Sequence, residues 1–267
     1  MLDVEFAELS DRGLTREINE DCVGHVVPDS PTLVQAYGLV FALADGVGGM
    51  ERGEVASQLA IESLTAGFRK IPKGVVHMSL LPKLVQEANL AVYDGGRTDA
   101  GLRSRGLMAT TVVACALRFD SAVISHVGDS RCYLFREGSG TQLTRDHTLV
   151  AEQTRLGMLS ETQAAASPNR HILTRSLGSE MFVAADTSTV SVMRGDVLLL
   201  CSDGLGYVSD AAIQRIVYGQ RDLQGVAQAL VAAANDAGGF DNVSVQVIGI
   251  KSVARMGLYR GRPYRLL

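Results

Sequence analysis

Cysteine is scarce and scattered: Cys22, Cys115, Cys132 and Cys201 are the only four in 267 residues, and no C-x-x-C pair occurs. Each lies beside apolar neighbours, as in Val113-Ala114-Cys115 and Leu199-Leu200-Cys201. They read as small buried hydrophobes in a reduced compartment. A phosphatase with a cysteine nucleophile needs an Arg six residues further on to cradle the phosphate. The residues at that offset are Pro28, Ser121, Gly138 and Tyr207, so that mechanism is excluded.

Other absences narrow the field further. No apolar run approaches the roughly 18–20 residues that span a bilayer. The opening residues Met1-Leu2-Asp3-Val4-Glu5 carry acids where a signal peptide carries base and then apolar residues. A cytoplasmic protein with no membrane span is expected. Lys and Arg number 25 against 29 Asp and Glu, a formal charge of −4. A chain of that balance is a poor general nucleic-acid binder, because backbone binding needs clustered Lys and Arg. The five histidines form no H-E-x-x-H pair, and no G-x-x-x-x-G-K loop is present, which disfavours zinc hydrolases and NTP motors.

What is present is globular: 46% of residues are hydrophobic and 20% charged, enough for one domain with a large core. One composition shift stands out. Residues 251–267 carry Lys251, Arg255, Arg260, Arg262 and Arg265 and no acid, +5, leaving −4 − 5 = −9 on residues 1–250. A single domain over 1–250 with a solvated, poorly ordered basic tail is expected.

Short apolar runs alternate with helical stripes. Residues 38–44 are too short for most helices and long enough for a buried strand. Residues 110–117, 122–127, 132–135 and 197–201 read as further strands joined by tight turns. Val243, Val245 and Val247 alternate with Ser244 and Gln246, the period of a half-buried strand. Ala56, Ala60, Leu64 and Phe68 form an i+4 ridge, and Leu81, Leu84, Ala88 and Val92 a second stripe. Two more stripes follow Ser209, a candidate N-cap, and Leu223. Neighbouring strands with short turns predict antiparallel sheets.

Acids recur where these strands end. Asp45 closes the run 38–44 before Gly46, and Asp129 follows 122–127 in Gly128-Asp129-Ser130-Arg131. Asp203 follows 197–201, Asp241 precedes Val243, and Glu20 and Asp21 precede the strand-like 22–27. One Asp-Gly is an ordinary turn. Six carboxylates on one shared edge would repel unless cations neutralised them. Oxygen ligands without a His or Cys cluster suit Mg²⁺ or Mn²⁺. Arg16, just ahead of Glu20 and Asp21, could hold a phosphate bidentately beside such ions. Without the six acids the chain would hold 29 − 6 = 23 acids against 25 bases, so its net acidity resides in this set.

In order along the chain stand Arg16-x-x-Asn19-Glu20-Asp21, Asp45-Gly46-x-Gly48-Gly49, Gly53-Glu54-x-Ala56-Ser57, Met108-x-Thr110-Thr111, Gly128-Asp129-Ser130-Arg131, Leu143-Thr144-Arg145-Asp146-His147, Thr174-Arg175-x-Leu177-Gly178, Ser202-Asp203-Gly204-Leu205 and Asp241-Asn242. This series resembles the metal-dependent protein Ser/Thr phosphatases of type 2C, in their compact bacterial form. The resemblance implies an α+β fold, a four-layer α/β/β/α sandwich of two antiparallel sheets flanked by helices. It implies two Mn²⁺ or Mg²⁺ ions bridged by Asp45, with the Gly46 carbonyl on one and Asp203 and Asp241 completing the other. Glu20 and Asp21 would hold waters and orient the nucleophile, Asp129 with Asp203 would form a third cation site, and Arg16 would grip the phosphate. Residues 148–169 would form a mobile flap.

The implied activity is hydrolysis of phosphoserine and phosphothreonine in proteins by direct attack of water, reversing a Ser/Thr kinase, by a monomer. The alternative is a phosphoprotein-binding module of the same fold without turnover. Three stretches depart from the family pattern: Val47 stands where eukaryotic members carry a His proposed as proton donor, Ala109 replaces a Gly, and Gly206-Tyr207 replaces a polar or Trp continuation. His147 is a candidate donor, although a structural imidazole is the reading preferred.

Overall fold

The computed structural model describes residues 1–47, 52–98, 108–254, 256–259 and 262–265. Gly48 and Gly49 of the motif at Asp45 lie outside the described residues. The chain begins β1 (Asp3–Asp11), β2 (Asp21–Val26), α1 (Pro31–Tyr37), β3 (Leu39–Asp45), α2 (Gly53–Arg69) and α3 (His77–Thr98). It continues β4 (Val112–Arg118), β5 (Ser121–Val127), β6 (Arg131–Arg136), β7 (Ser139–Gln142), α4 (Leu149–Arg155) and α5 (Glu161–Ala165). Then come β8 (Asp186–Ser191), β9 (Val197–Cys201), α6 (Asp210–Gly219), α7 (Leu223–Asp236) and β10 (Val243–Ser252).

Two five-stranded sheets result, ordered β1-β10-β9-β6-β7 and β2-β3-β4-β5-β8, with antiparallel pairing throughout. They stack face to face with helices on both outer faces, the four-layer sandwich expected. β3 shows why its sequence is unbroken in hydrophobicity. Leu39, Phe41 and Leu43 point between the sheets, where they meet Val113, Leu198 and Ile248. Val40, Ala42 and Ala44 point outward onto α2 and α3. Small residues on both sides of that contact, Ala42 and Ala44 against Ala56 and Ala60, let the α2 ridge lie close to the sheet. On the far face, Val243, Val245 and Val247 pack with Leu199 against Leu230 and Val231 of α7.

β10 departs from the half-buried reading. Ser244 and Gln246 are fully buried, since the second sheet covers the face that alternation alone assigns to solvent. Each then needs partners. Ser244 Oγ meets Ser10 Oγ at 2.7 Å, and Gln246 Nε2 donates to Glu8 and to the Gly24 carbonyl at 3.0 and 3.2 Å.

Lys251 and Ser252 complete β10, with Lys251 Nζ 2.7 Å from Glu5, and Met256–Tyr259 (β11) pairs with Arg262–Arg265 (β12) in a separate hairpin. The expected flap carries α4 and α5, each capped by a side chain, Thr148 and Ser160. Cys115, Cys132 and Cys201 are buried and all four thiols are free, as their apolar surroundings predict.

Candidate active site

Register brings the strand-end acids to one edge. Asp21 at the start of β2 faces Asp45 at the end of β3, and β5 ends at Val127 opposite Val112, so Asp129 leaves from the same edge. In the other sheet Cys201 pairs with both Val245 and Arg131, which sets Asp203 and Asp241 beside them. The sheets are joined here: Ser202 Oγ donates to Asp21 Oδ2 at 2.8 Å and accepts from the Ser244 amide at 2.9 Å.

Local backbone bonds fix each acid. The Asp45 amide donates to Thr111 Oγ1 at 3.1 Å, and its carbonyl accepts from Thr110 Oγ1 and the Thr111 amide at 2.7 and 2.8 Å. Asn242, buried, accepts from the Glu20 amide at 2.8 Å and donates to the carbonyls of Arg12 and Ile18, both at 2.9 Å. That ties the loop carrying Arg16 to the segment carrying Asp241. A Cβ on Gly46 would lie 2.5 Å from the Gly53 backbone, so only glycine lets the chain approach α2 there.

Arg16, Asp45, Gly46, Asp129, Asp203 and Asp241 line one cavity of about 330 Å³. Glu20 and Asp21 stand behind it. Burial pushes the Asp21 carboxyl up to about 7; repulsion from Asp203 and Asp241 adds to this, against the hydrogen bonds of Ser244 and Ser202. Burial, then repulsion by Asp21, Asp203, Asp129 and Asp241, holds Asp45 well above the usual carboxylate range. Asp129 is raised by burial and by Asp203 and Asp146, and Glu20 by burial. Asp21 Oδ1 is buried with no hydrogen-bond partner among the described residues.

These acids cannot all ionise comfortably without compensation, and among the described residues lining the cavity Arg16, 2.7 Å from Asp241, is the one Lys or Arg. An all-oxygen donor set with one orphaned carboxylate oxygen fits hard divalent cations. Six of the eight residues singled out from sequence line the cavity; Asp21 pairs with Asp45 across β2 and β3, and the Glu20 carbonyl accepts from the Gly46 amide.

The sequence missed the rim. His171 Nδ1 lies 3.4 Å from Asp203 Oδ2, and its ring neighbours Tyr207, whose own ring lies 5.2 Å from that of Phe240. Asp129, Asp203, His171 and Tyr207 also line a second cavity of about 590 Å³, which runs under α4 and α5. His147 does not line either cavity. Burial, with nearby His126 and Arg175, lowers it to about 4, so it is a neutral structural imidazole at neutral pH.

Comparison with known proteins agrees with this arrangement. The family model for protein phosphatase 2C matches residues 20–235. The serine/threonine phosphatase Stp of Listeria innocua is 35% identical over 244 residues, covering 90% of this chain and 93% of that one. The crystal structure of the Mycobacterium tuberculosis serine/threonine phosphatase PstP superposes with a TM-score of 0.81 at 33% identity, covering 94% of this chain and all of the other. A PstP catalytic domain in complex with two manganese ions superposes at 0.79, also at 33% identity, over 94% and 100% of the two chains. With a family model spanning most of the chain and relatives matching nearly end to end, the chain belongs to the protein phosphatase 2C family.

Proposed function

We propose that the chain hydrolyses phosphoserine and phosphothreonine esters in proteins, using two Mn²⁺ or Mg²⁺ ions and a third. The observation that carries this reading is the convergence of Asp45, Asp129, Asp203, Asp241 and Arg16 on one cavity. Asp45 and the Gly46 carbonyl, with Asp203 and Asp241, would hold the two ions; Asp129 with Asp203 would hold the third. When bound, the ions supply Lewis acidity and lower the pKa of water so that it is a nucleophile near neutral pH.

The chain's own groups do the positioning. Arg16 is partly exposed on the cavity wall, and its planar fork can leave Asp241 for two phosphoryl oxygens. Its fixed charge then stabilises the equatorial oxygens as charge spreads in the transition state. Asp21, held by Ser202, and Glu20, held by the Gly53 amide, would accept hydrogen bonds from waters at the back of the site. Hydrolysis places the water oxygen on phosphorus, and a proton must reach the Ser or Thr oxygen that leaves. Val47 cannot donate it.

Free, buried thiols suit a cytoplasmic setting, where a Ser/Thr kinase supplies the substrates and the chain acts as a monomer. No helix among the described residues is long and apolar enough to cross a membrane. The test is turnover by purified protein: Mn²⁺ should switch on hydrolysis of both an aryl phosphate and a phosphothreonine peptide, and chelation should abolish it. Inactivity on both with Mn²⁺ present would refute the reading and favour a non-catalytic phosphoprotein binder.

A further inference from the structure

His126, His147 and Asp186 lie close enough together to resemble a metal site. Hydrogen-bond polarity removes His147 as a ligand. The Gly128 amide donates to His147 Nδ1 at 3.1 Å, so that lone pair is taken and the proton of the neutral ring sits on Nε2. His126 Nε2 donates to the Arg145 carbonyl at 2.8 Å, and Asp186 is paired with Arg175 at 2.7 Å. The cluster does something else.

We propose that His147 is a positioning residue, clamping the Gly128-Asp129 turn to the root of the flap so that Asp129 is held in place for the third cation. It rests on the reading of Asp129 as a ligand of that ion. His147 is 2% exposed and satisfies both polar groups of Gly128: its ring accepts from the amide, and its own amide donates to the carbonyl at 3.0 Å. Its carbonyl accepts from the Thr174 amide at 2.8 Å. One residue thus ties the turn to the start of the flap and to the segment that follows it, where Thr148 bridges Leu173 and the Leu149 amide donates to Ile172 at 2.8 Å.

The opposite side of the turn is equally constrained. Gly128 has φ +104°, and a Cβ there would come 2.6 Å from Thr111 Cγ2. Thr111 Oγ1 in turn meets Ser130 Oγ at 2.6 Å and accepts from the Asp45 amide. The turn is therefore held between Thr111, which also fixes Asp45, and His147, which also fixes the flap. Loss of the imidazole would orphan a buried amide and free only the His147 side.

The test compares His147→Phe, which keeps an aromatic ring but no acceptor, with His147→Asn, whose amide oxygen can take the place of Nδ1. Mn²⁺ titration calorimetry of metal-stripped protein should show the weakest binding step at least about tenfold weaker in His147→Phe, with the tighter steps unchanged. His147→Asn should stay within about threefold of the parent. Hydrogen exchange, read without metal, should be faster at residues 128–130 and 148–149 in His147→Phe and near normal in His147→Asn. Should His147→Phe fail to fold, His147→Leu carries the same comparison.

Unchanged exchange in the acceptor-less variant, or equal weakening of every Mn²⁺ step, overturns the clamp. Asp129→Ala separates the two readings. If it removes no binding step, the third-cation assignment fails, and exchange alone then decides the clamp.

Discussion

Arg16 Nη2 donates to Asp241 Oδ2 at 2.7 Å, so the guanidinium proposed to bind phosphate rests on a carboxylate proposed to bind metal. On the proposed reading the two roles would exchange on loading: a cation held by Asp241 would leave the guanidinium available to phosphate. Arg16→Ala should therefore lower kcat/KM roughly 10²-fold, the usual loss when one preorganised donor to a developing charge is removed. It should not weaken Mn²⁺ binding, because it removes a competitor for Asp241. Arg16→Lys should recover only part of the activity, since an ammonium cannot fork two oxygens. Parallel loss of metal affinity in Arg16→Ala would argue against the exchange.

Asp203 repels Asp21, Asp45 and Asp129 in the metal-free protein. Asp203→Asn should cut turnover by at least about 10²-fold. It should also raise the thermal midpoint of the metal-free protein, by a few degrees for each kcal/mol of repulsion relieved. Mn²⁺ should then shift that midpoint less than it does in the parent. Near-normal turnover, or a lower metal-free midpoint, would contradict the placement of Asp203 in the cluster.

The same carboxylates set a pH dependence with a definite sign. Asp21 titrates near 3.8 when unfolded and near 7 when folded, and Asp45 and Asp129 shift the same way. Between those values the folded state binds more protons, so the stability of the metal-free protein should fall as pH rises from about 4 to about 7. The slope approaches 1.4 kcal/mol per pH unit for each group in its window. With saturating Mn²⁺ the dependence should reverse, because protons then compete with the ions. Urea melts at pH 5 and 7.5, with Mn²⁺ and with chelator, check both signs.

Much of this was legible because the signals were local. The run in β3 is unbroken since both its faces are buried, and Gly46, Gly128 and Gly204 beside strand-end acids mark the turns that hold the site. What escaped depends on long-range packing. β1 carries Asp3, Glu5 and Glu8 and gives no apolar run, yet it pairs with β10 along its length. Ser244 and Gln246 looked solvent-facing because a single strand's alternation cannot say that a second sheet covers its polar side. The flap hid α4 and α5, which bury little and depend on their caps. Tyr207 and Phe240 are distant in sequence, and only the closure of the sandwich edge brings their rings together.

That ring pair forms an apolar lip on the cavity that Arg16 and the acids line. Phe240 is 51% exposed, and the Arg170 guanidinium lies 5.0 Å from the centre of the Tyr207 ring. A phosphoserine side chain reaching Arg16 would bring its flanking residues over this lip, whereas a small aryl phosphate would not extend past it. Burying part of an aromatic face is worth about 1 kcal/mol, or several-fold in affinity. Phe240→Ala should therefore raise KM for a phosphothreonine peptide about three- to tenfold at unchanged kcat. Its kcat/KM on an aryl phosphate should stay within about twofold of the parent. Equal losses on both substrates would mean that the lip supports the Asp241 segment next to it and does not contact the peptide.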